Sequence, residues 1–132
     1  MKKRAGQASI EVPRPPDAVF ATIAARAPGE DWDEPRRLLG RPFVVRSHVI
    51  ELDHADRRLV YRSKLAGEDP SFTIWSWAVE PAGQGGARVT LGWDLRPVTF
   101  VRKRLISPLR DQWIARRQAP AMLAAIGRAP LG

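Results

Sequence analysis

Two neighbouring segments that alternate strictly between apolar and polar residues constrain the fold of this chain most. On one face of these segments lie Thr73, Trp75, Trp77 and Val79, followed by Val89, Leu91, Trp93 and Leu95. A period of two residues is typical of strands with one buried face. The glycine-rich stretch PAGQGG separates the two segments, so the sequence predicts a β-hairpin that carries three of the five tryptophans.

The region before this hairpin predicts a strand, a helix and two more strands. The first strand alternates through Ala8, Ile10 and Val12, and prolines end it. The following helix has an apolar stripe at Val19, Phe20 and Ile23. Residues 30–40 predict a turn or a second short helix. Residues 43–52 and 59–65 alternate again and predict two strands joined by the loop DHADR.

After Pro97 the apolar period becomes helical, since Val101, Leu105 and Leu109 recur four residues apart. The helix either bends or restarts near Pro108, and its inner stripe is predicted to be Leu109, Trp113, Arg116, Pro120 and Leu123. Strands grouped together with helices at the ends indicate an α+β domain with an antiparallel sheet. Only this last helix is long enough to cover one face of that sheet.

Length and composition fit one globular domain over residues 1–132, with residues 1–7 as a flexible N-terminus. The sequence has no cysteine, which excludes disulfides and thiolate chemistry. It shows no secretory signal and no apolar run long enough for a membrane span, so we expect a cytoplasmic protein. The net charge of +8 favours anionic ligands and surfaces in general.

The order of elements, with SIEVPRPPDAVFATIA near the start and WAVEPAGQGGARVTL before the last helix, resembles the START-related helix-grip superfamily (SRPBCC). The polyketide cyclase/dehydrase and lipid-transport group is the most similar part of it. The residues that carry this resemblance are Trp77, Val79, Pro81, Gly85, Gly86, Arg88, Val89 and Thr90. The resemblance implies a curved antiparallel sheet around a long C-terminal helix, with a cavity between them for a hydrophobic or aromatic small molecule.

Nine residues are predicted to line that cavity: Tyr61, Ser63, Trp75, Trp77, Trp93, Leu109, Gln112, Trp113 and Arg116. The three hairpin tryptophans fit core packing equally well. Arg116 interrupts an apolar stripe, where a charge needs a partner or a route to water. It reaches water at a bend near Pro120, pairs with Asp94 or Asp111, or holds a carboxylate or enolate of the ligand.

No catalytic or metal-binding constellation accompanies this pattern. The only histidines, His48 and His54, are too few and too badly placed for a metal site, and we expect no cofactor. Whether the protein is a cyclase/dehydratase-like enzyme or a lipid or metabolite carrier stays open, as does a homodimer. The rival hypothesis is a basic module whose outer helix face binds an acidic protein or, less favoured, nucleic acid, through Arg102, Lys103, Arg110 and Arg117.

Overall fold

A computed structural model describes residues 5–67, 70–97 and 106–128. The strands in this part of the chain are β1 (Ala5–Val12), β2 (Asp31–Leu38), β3 (Arg41–Asp53), β4 (Arg58–Leu65), β5 (Phe72–Ala82) and β6 (Gly86–Arg96). They form one antiparallel sheet in the order β1-β6-β5-β4-β3-β2. Helix α1 (Pro16–Ala24) follows β1. The terminal helix consists of α2 (Ser107–Trp113), a π-helical turn (Ile114–Gln118) and α3 (Ala119–Arg128). The predicted α+β class with an antiparallel sheet is confirmed.

The β5–β6 hairpin and helix α1 form where the sequence predicts them. All eight inward-facing residues of the hairpin are buried, and Trp75 lies opposite Trp93 in the register. Val19, Phe20 and Ile23 of α1 are buried against the same part of the sheet. These two predictions are correct because each element buries a complete apolar face. The spacing of its apolar residues in the sequence therefore shows whether it is a strand or a helix.

Residues 31–38 form a strand, so the predicted turn or second short helix is wrong. Strand β2 pairs with β3 along its whole length, with Trp32 opposite Ser47. It lies at the edge of the sheet, where Pro35 is tolerated because one side of an edge strand needs no hydrogen-bond donor. Its inward positions hold one aromatic and two charged residues, Trp32, Glu34 and Arg36, so no apolar alternation marks it.

Strand β1 begins at Ala5, so the predicted flexible N-terminus is too long. Ala5, Gly6 and Gln7 pair with β6, with Gly6 directly opposite Trp93. A Cβ atom at Gly6 would lie 2.6 Å from the Trp93 ring. Glycine is therefore required there by the close approach of the indole to the β1 backbone. Residues 1–4 lie outside the described residues.

The inner stripe predicted for the terminal helix is wrong for all its members except Leu123. The buried residues are Asp111, Ile114, Ala119, Leu123 and Ile126. Leu109 and Trp113 are 70% and 59% exposed, and Gln112, Arg116 and Pro120 are exposed as well. The predicted stripe, which advances from Leu109 in alternating steps of four and three, fails for two reasons: it starts on the outer face, and the helix does not keep one period.

The π-helical turn changes the period in the middle of the helix. The backbone N–H of Ala119 donates to the carbonyl of Ile114, five residues earlier. Ile114 and Ala119 therefore share the inner face although they are five positions apart. The turn ends at Gln118, two residues before Pro120, which has no N–H to donate to the helical ladder. Val101 and Leu105 lie outside the described residues.

The helices cover the two halves of the sheet unequally. The π turn and α3 pack against β1, and α3 also contacts β6 and α1, while α1 packs on β5, β6 and part of β4. We call the inner faces of β1, β5 and β6 the closed half, and those of β2, β3 and β4 the open half. In the open half several inward-facing side chains are only half-buried: Trp32, Glu34, Phe43, Val45, Val49, Tyr61 and Leu65.

Candidate functional site

An aromatic cluster of Trp32, Tyr61, Trp75, Trp77 and Trp93 crosses the inner face from the open to the closed half. Tyr61 lies opposite Trp75 in the register, and Trp75 lies opposite Trp93. The rings of Trp32 and Tyr61 meet edge to face with their centroids 5.2 Å apart. The indole N–H of Trp77 donates to the Tyr61 hydroxyl at 3.5 Å. The cluster is therefore a continuous aromatic surface from the edge strand β2 to β6.

The members of this cluster differ in their accessibility. Trp75, Trp77 and Trp93 are 4%, 1% and 4% exposed and belong to the main hydrophobic core. Trp32 and Tyr61 are half-buried. In this structure the three hairpin tryptophans are core residues, and the part of the cluster that a small molecule can reach is the Trp32–Tyr61 pair. Trp32 was missed because its strand was predicted to be a turn or a helix.

The surroundings of Tyr61 keep its hydroxyl protonated. Burial raises the pKa of Tyr61 above its usual value, and the hydrogen bond from Trp77 offsets this only in part. A protonated phenol that already accepts one hydrogen bond still has its own O–H to donate. Tyr61 therefore offers a hydrogen-bond donor at the boundary between the two halves.

Asp111 is the polar residue that the terminal helix directs into the core. Its Oδ1 accepts a hydrogen bond of 2.9 Å from the Trp93 indole N–H, and its side chain is 5% exposed. Trp93 thus lies between Gly6 of β1 and Asp111 of α2. The sequence suggested Asp111 only as a partner for Arg116. The sequence did contain a signal that Asp111 faces the core. Asp111 lies three residues before Ile114, so the two share one face of a helix, and that face is the buried one.

Ser63 faces inward as predicted, and its partner is another side chain. The hydroxyls of Ser47 and Ser63 are 2.7 Å apart and both residues are buried. Either hydroxyl donates to the other, and the pair lies opposite in the β3–β4 register. This hydrogen bond gives each hydroxyl a partner, and the hydroxyl that accepts it keeps its own O–H to donate.

A charged group borders the aromatic cluster at the edge of the open half. Trp32 donates from its indole N–H to Glu34 at 3.0 Å, and Arg36 donates to the other carboxylate oxygen at 2.6 Å. Partial burial opposes ionisation of Glu34, yet these hydrogen bonds and the charges of Arg36 and Arg26 hold its pKa below the usual value. An ionised Glu34 therefore orients Trp32 over the open half.

The four residues that the sequence places on the cavity side of the terminal helix, Leu109, Gln112, Trp113 and Arg116, all face solvent. Arg116 is therefore not the predicted cavity cation. Arg110 instead lines a pocket of about 20 Å³ where β4 ends and β5 begins, together with Lys64 and Arg96. A space of this size holds about one water molecule. Of the rival basic face, Arg117 is exposed, while Arg102 and Lys103 lie outside the described residues.

In the described part of the chain, no group of three or more histidine, aspartate or glutamate side chains is arranged to hold a metal ion. His48 instead contacts Asp31 across the β2–β3 pair at 2.6 Å. The helices within the same residues are all too short or too polar to cross a membrane.

No protein-family model matches the sequence, and no curated protein matches it. Solved structures do. The Zhui aromatase/cyclase from Streptomyces sp. R1128 superimposes with a TM-score of 0.73 over 93% of this chain and 90% of that chain, at 15% identity. The chain has the helix-grip fold.

Two further helix-grip structures show how far the similarity extends. Norcoclaurine synthase from Thalictrum flavum gives a TM-score of 0.63 at 12% identity, covering 97% of this chain and 86% of that one. The di-domain ARO/CYC BexL from the BE-7585A biosynthetic pathway gives 0.68 at 22% identity, covering 95% of this chain and 45% of the di-domain. At these identities the shared property is the fold.

Proposed function

We propose that this protein binds an apolar or aromatic small molecule between the open half of the sheet and the terminal helix. The observation that carries this proposal is the incomplete burial of Trp32, Tyr61, Val45 and Val49, all inward-facing on β2–β4. Ligand sites are typically concave and mostly apolar, with a few polar groups that fix orientation. The Tyr61 hydroxyl and the Glu34 carboxylate would be such groups here.

Two properties of the fold support the proposal. Half-buried aromatic rings beside a rigid core offer a large contact area with few rotamers to order. Helix-grip structures similar to this chain also bear the names of enzymes, an aromatase/cyclase and norcoclaurine synthase. These names favour an aromatic or cyclic ligand over an extended polar one.

The same residues favour binding over catalysis. A Tyr61 whose pKa is raised remains protonated at neutral pH, so it donates a hydrogen bond and does not act as a base. One oxygen of the Asp111 carboxylate is already bonded to Trp93 in the core. A carrier of a hydrophobic metabolite is therefore the function we propose first. In a cyclase or dehydratase, Tyr61 would take the role of proton or hydrogen-bond donor.

The proposed ligand requires some movement of the protein. The pocket where β4 ends and β5 begins, which Ser63 and Leu65 of the open half line but Trp32 and Tyr61 do not, has a volume of only about 20 Å³, well below the several hundred Å³ of a typical small-molecule site. Trp32 belongs to an edge strand, where its ring rests edge to face on Tyr61 and its N–H donates to Glu34. We expect its indole to swing aside and to close over the bound molecule.

Titration with the neutral probe N-phenyl-1-naphthylamine tests this proposal by fluorescence. We expect saturable binding, weakened by about tenfold or more in Trp32→Ala because a stacking aromatic surface is lost. Ile50→Ala, at an exposed apolar position on β3, is the matched control and should bind as the unmodified chain does. Equal affinity of Trp32→Ala and the unmodified chain, or no saturable binding together with no co-purified small molecule in native mass spectra, would refute the proposal.

A further inference from the structure

The outer side of α2 carries an apolar patch that the fold does not use. It consists of Leu109 and Trp113, which are one helical turn apart, and Ile106 beside them, which is 39% exposed. Leu109 and Trp113 point away from the sheet, because Asp111 and Ile114 occupy the opposite side of the same turns, whereas Ile106 at the edge of the patch also lines the small pocket where β4 ends and β5 begins. Large apolar side chains that cluster on a surface indicate an interaction site more often than isolated ones do.

The exposed charges of the terminal helix next to this outer apolar patch have one sign. Arg116 and Arg117 are exposed one turn after Trp113. The only acidic residue of the terminal helix, Ser107–Arg128, is Asp111, which is buried on the inner side. The solvent-facing surface of this described helix therefore has no carboxylate, and the whole chain has a net charge of +8.

We infer that the outer face of α2 and the π turn binds the surface of an anionic lipid membrane. A helix with Trp and Leu on one side and arginines next to them lies in the headgroup region, with its apolar side chains inserted and its cations on the phosphates. Tryptophan suits this position because its ring is apolar and its N–H is polar. Charge complementarity thus selects an anionic surface.

The size of the patch favours a membrane over a protein partner. Three apolar side chains on a convex helix of two turns fall well short of the roughly 800 Å² per partner that a stable protein interface buries. Binding to a membrane surface needs only a few inserted side chains and a few basic residues. The two arginines lie in line with the patch along the helix, so a flat surface can reach both together.

Co-sedimentation of the full chain with vesicles tests this inference. We use neutral phosphatidylcholine vesicles and vesicles that contain one-third phosphatidylglycerol. The unmodified chain should bind the anionic vesicles, and its tryptophan emission should shift to shorter wavelength on binding, a shift that Leu109→Gln with Trp113→Gln should abolish. Arg116→Gln with Arg117→Gln should weaken binding to the anionic vesicles by about 30-fold, since each cation near such a surface contributes about fivefold. Leu109→Gln with Trp113→Gln should weaken it by about tenfold or more.

Ile50→Gln with Leu52→Gln is the matched control, because these two β3 residues are also apolar and exposed. Its vesicle affinity should equal that of the unmodified chain. The inference is overturned if this control and the α2 variant lose binding equally, or if the unmodified chain does not bind anionic vesicles. It is also overturned if the unmodified chain dimerises in sedimentation velocity and Leu109→Gln with Trp113→Gln makes it monomeric. None of these three results affects the binding of N-phenyl-1-naphthylamine to the open half, so the two proposals can fail separately.

Discussion

The closed and open halves of the sheet are both antiparallel but have different inner faces. The inward-facing residues from Thr73 to Val79 in β5 and from Ala87 to Leu95 in β6 are all buried, and the indole N–H groups of Trp77 and Trp93 are hydrogen-bonded. In β2, β3 and the end of β4, the inward-facing residues include half-buried apolar and aromatic side chains next to the charged Glu34 and Arg36. Because apolar burial stabilises a fold, we expect the closed half to provide most of the stability, whereas the open half retains half-buried apolar surface that a ligand can cover.

The strongest test of this comparison removes the same side chain from each half. Leu91→Ala in β6 should lower the free energy of unfolding by about 3 kcal/mol, because Leu91 is fully buried and a cavity remains. Leu65→Ala in β4 should cost about 1 kcal/mol, because Leu65 is only half-buried. Urea denaturation followed by circular dichroism measures both. Equal losses would show that the two halves do not differ in stability.

A smaller effect is expected where the closed half meets the terminal helix. Asp111→Ala should cost about 1–3 kcal/mol, because the buried Trp93 indole N–H then has no acceptor. Asp111→Asn retains an amide oxygen and should cost less. The same denaturation experiment compares the two variants, and a loss in Asp111→Asn as large as in Asp111→Ala would mean that this hydrogen bond does not stabilise the helix position.

The smallest effect concerns Tyr61, at the boundary between the halves. It is the only tyrosine, so absorbance at 295 nm reports its ionisation alone. Because its pKa is raised from 10.0 by burial, the native midpoint should lie above pH 10, and the urea-unfolded midpoint close to it. Its contribution to stability is therefore complete below pH 10 and is lost as the pH rises towards the native pKa. If Tyr61 titrated with the same midpoint in the native and the unfolded protein, its hydroxyl would be exposed to solvent rather than buried.

Closed-half elements could be predicted from sequence because the packing that forms them is apolar. Val89, Leu91 and Leu95 alternate with polar residues, and Val19 and Ile23 lie on one side of a helix. In each of these elements the apolar residues recur with the same spacing as the buried positions. The tryptophans of the hairpin were placed inward for the same reason, and Tyr61 and Ser63 were placed on the correct face.

Strand β2 of the open half and the terminal helix could not be predicted, for different physical reasons. Strand β2 is stabilised by its backbone pairing with β3, and its inward-facing Glu34 and Arg36 satisfy each other, so no apolar pattern exists to detect. In the terminal helix, Leu109 and Trp113 are apolar but exposed, which makes them indistinguishable from core residues in the sequence. Their exposure depends on where the helix meets the sheet, a property that local sequence does not contain.

The π turn has a consequence for length variation in this chain. Between Ile114 and Ala119 the helix contains one residue more than a regular helix needs to keep Asp111 and Leu123 on the sheet. A deletion there would return the helix to its regular period without rotating either flanking segment, although Pro120 would still lack an N–H for the helical ladder. Loss of a residue after Ala119 would instead rotate Leu123 and Ile126 by about 100° away from their neighbours. We therefore expect the fold to tolerate a deletion between Ile114 and Ala119 better than a deletion after Ala119.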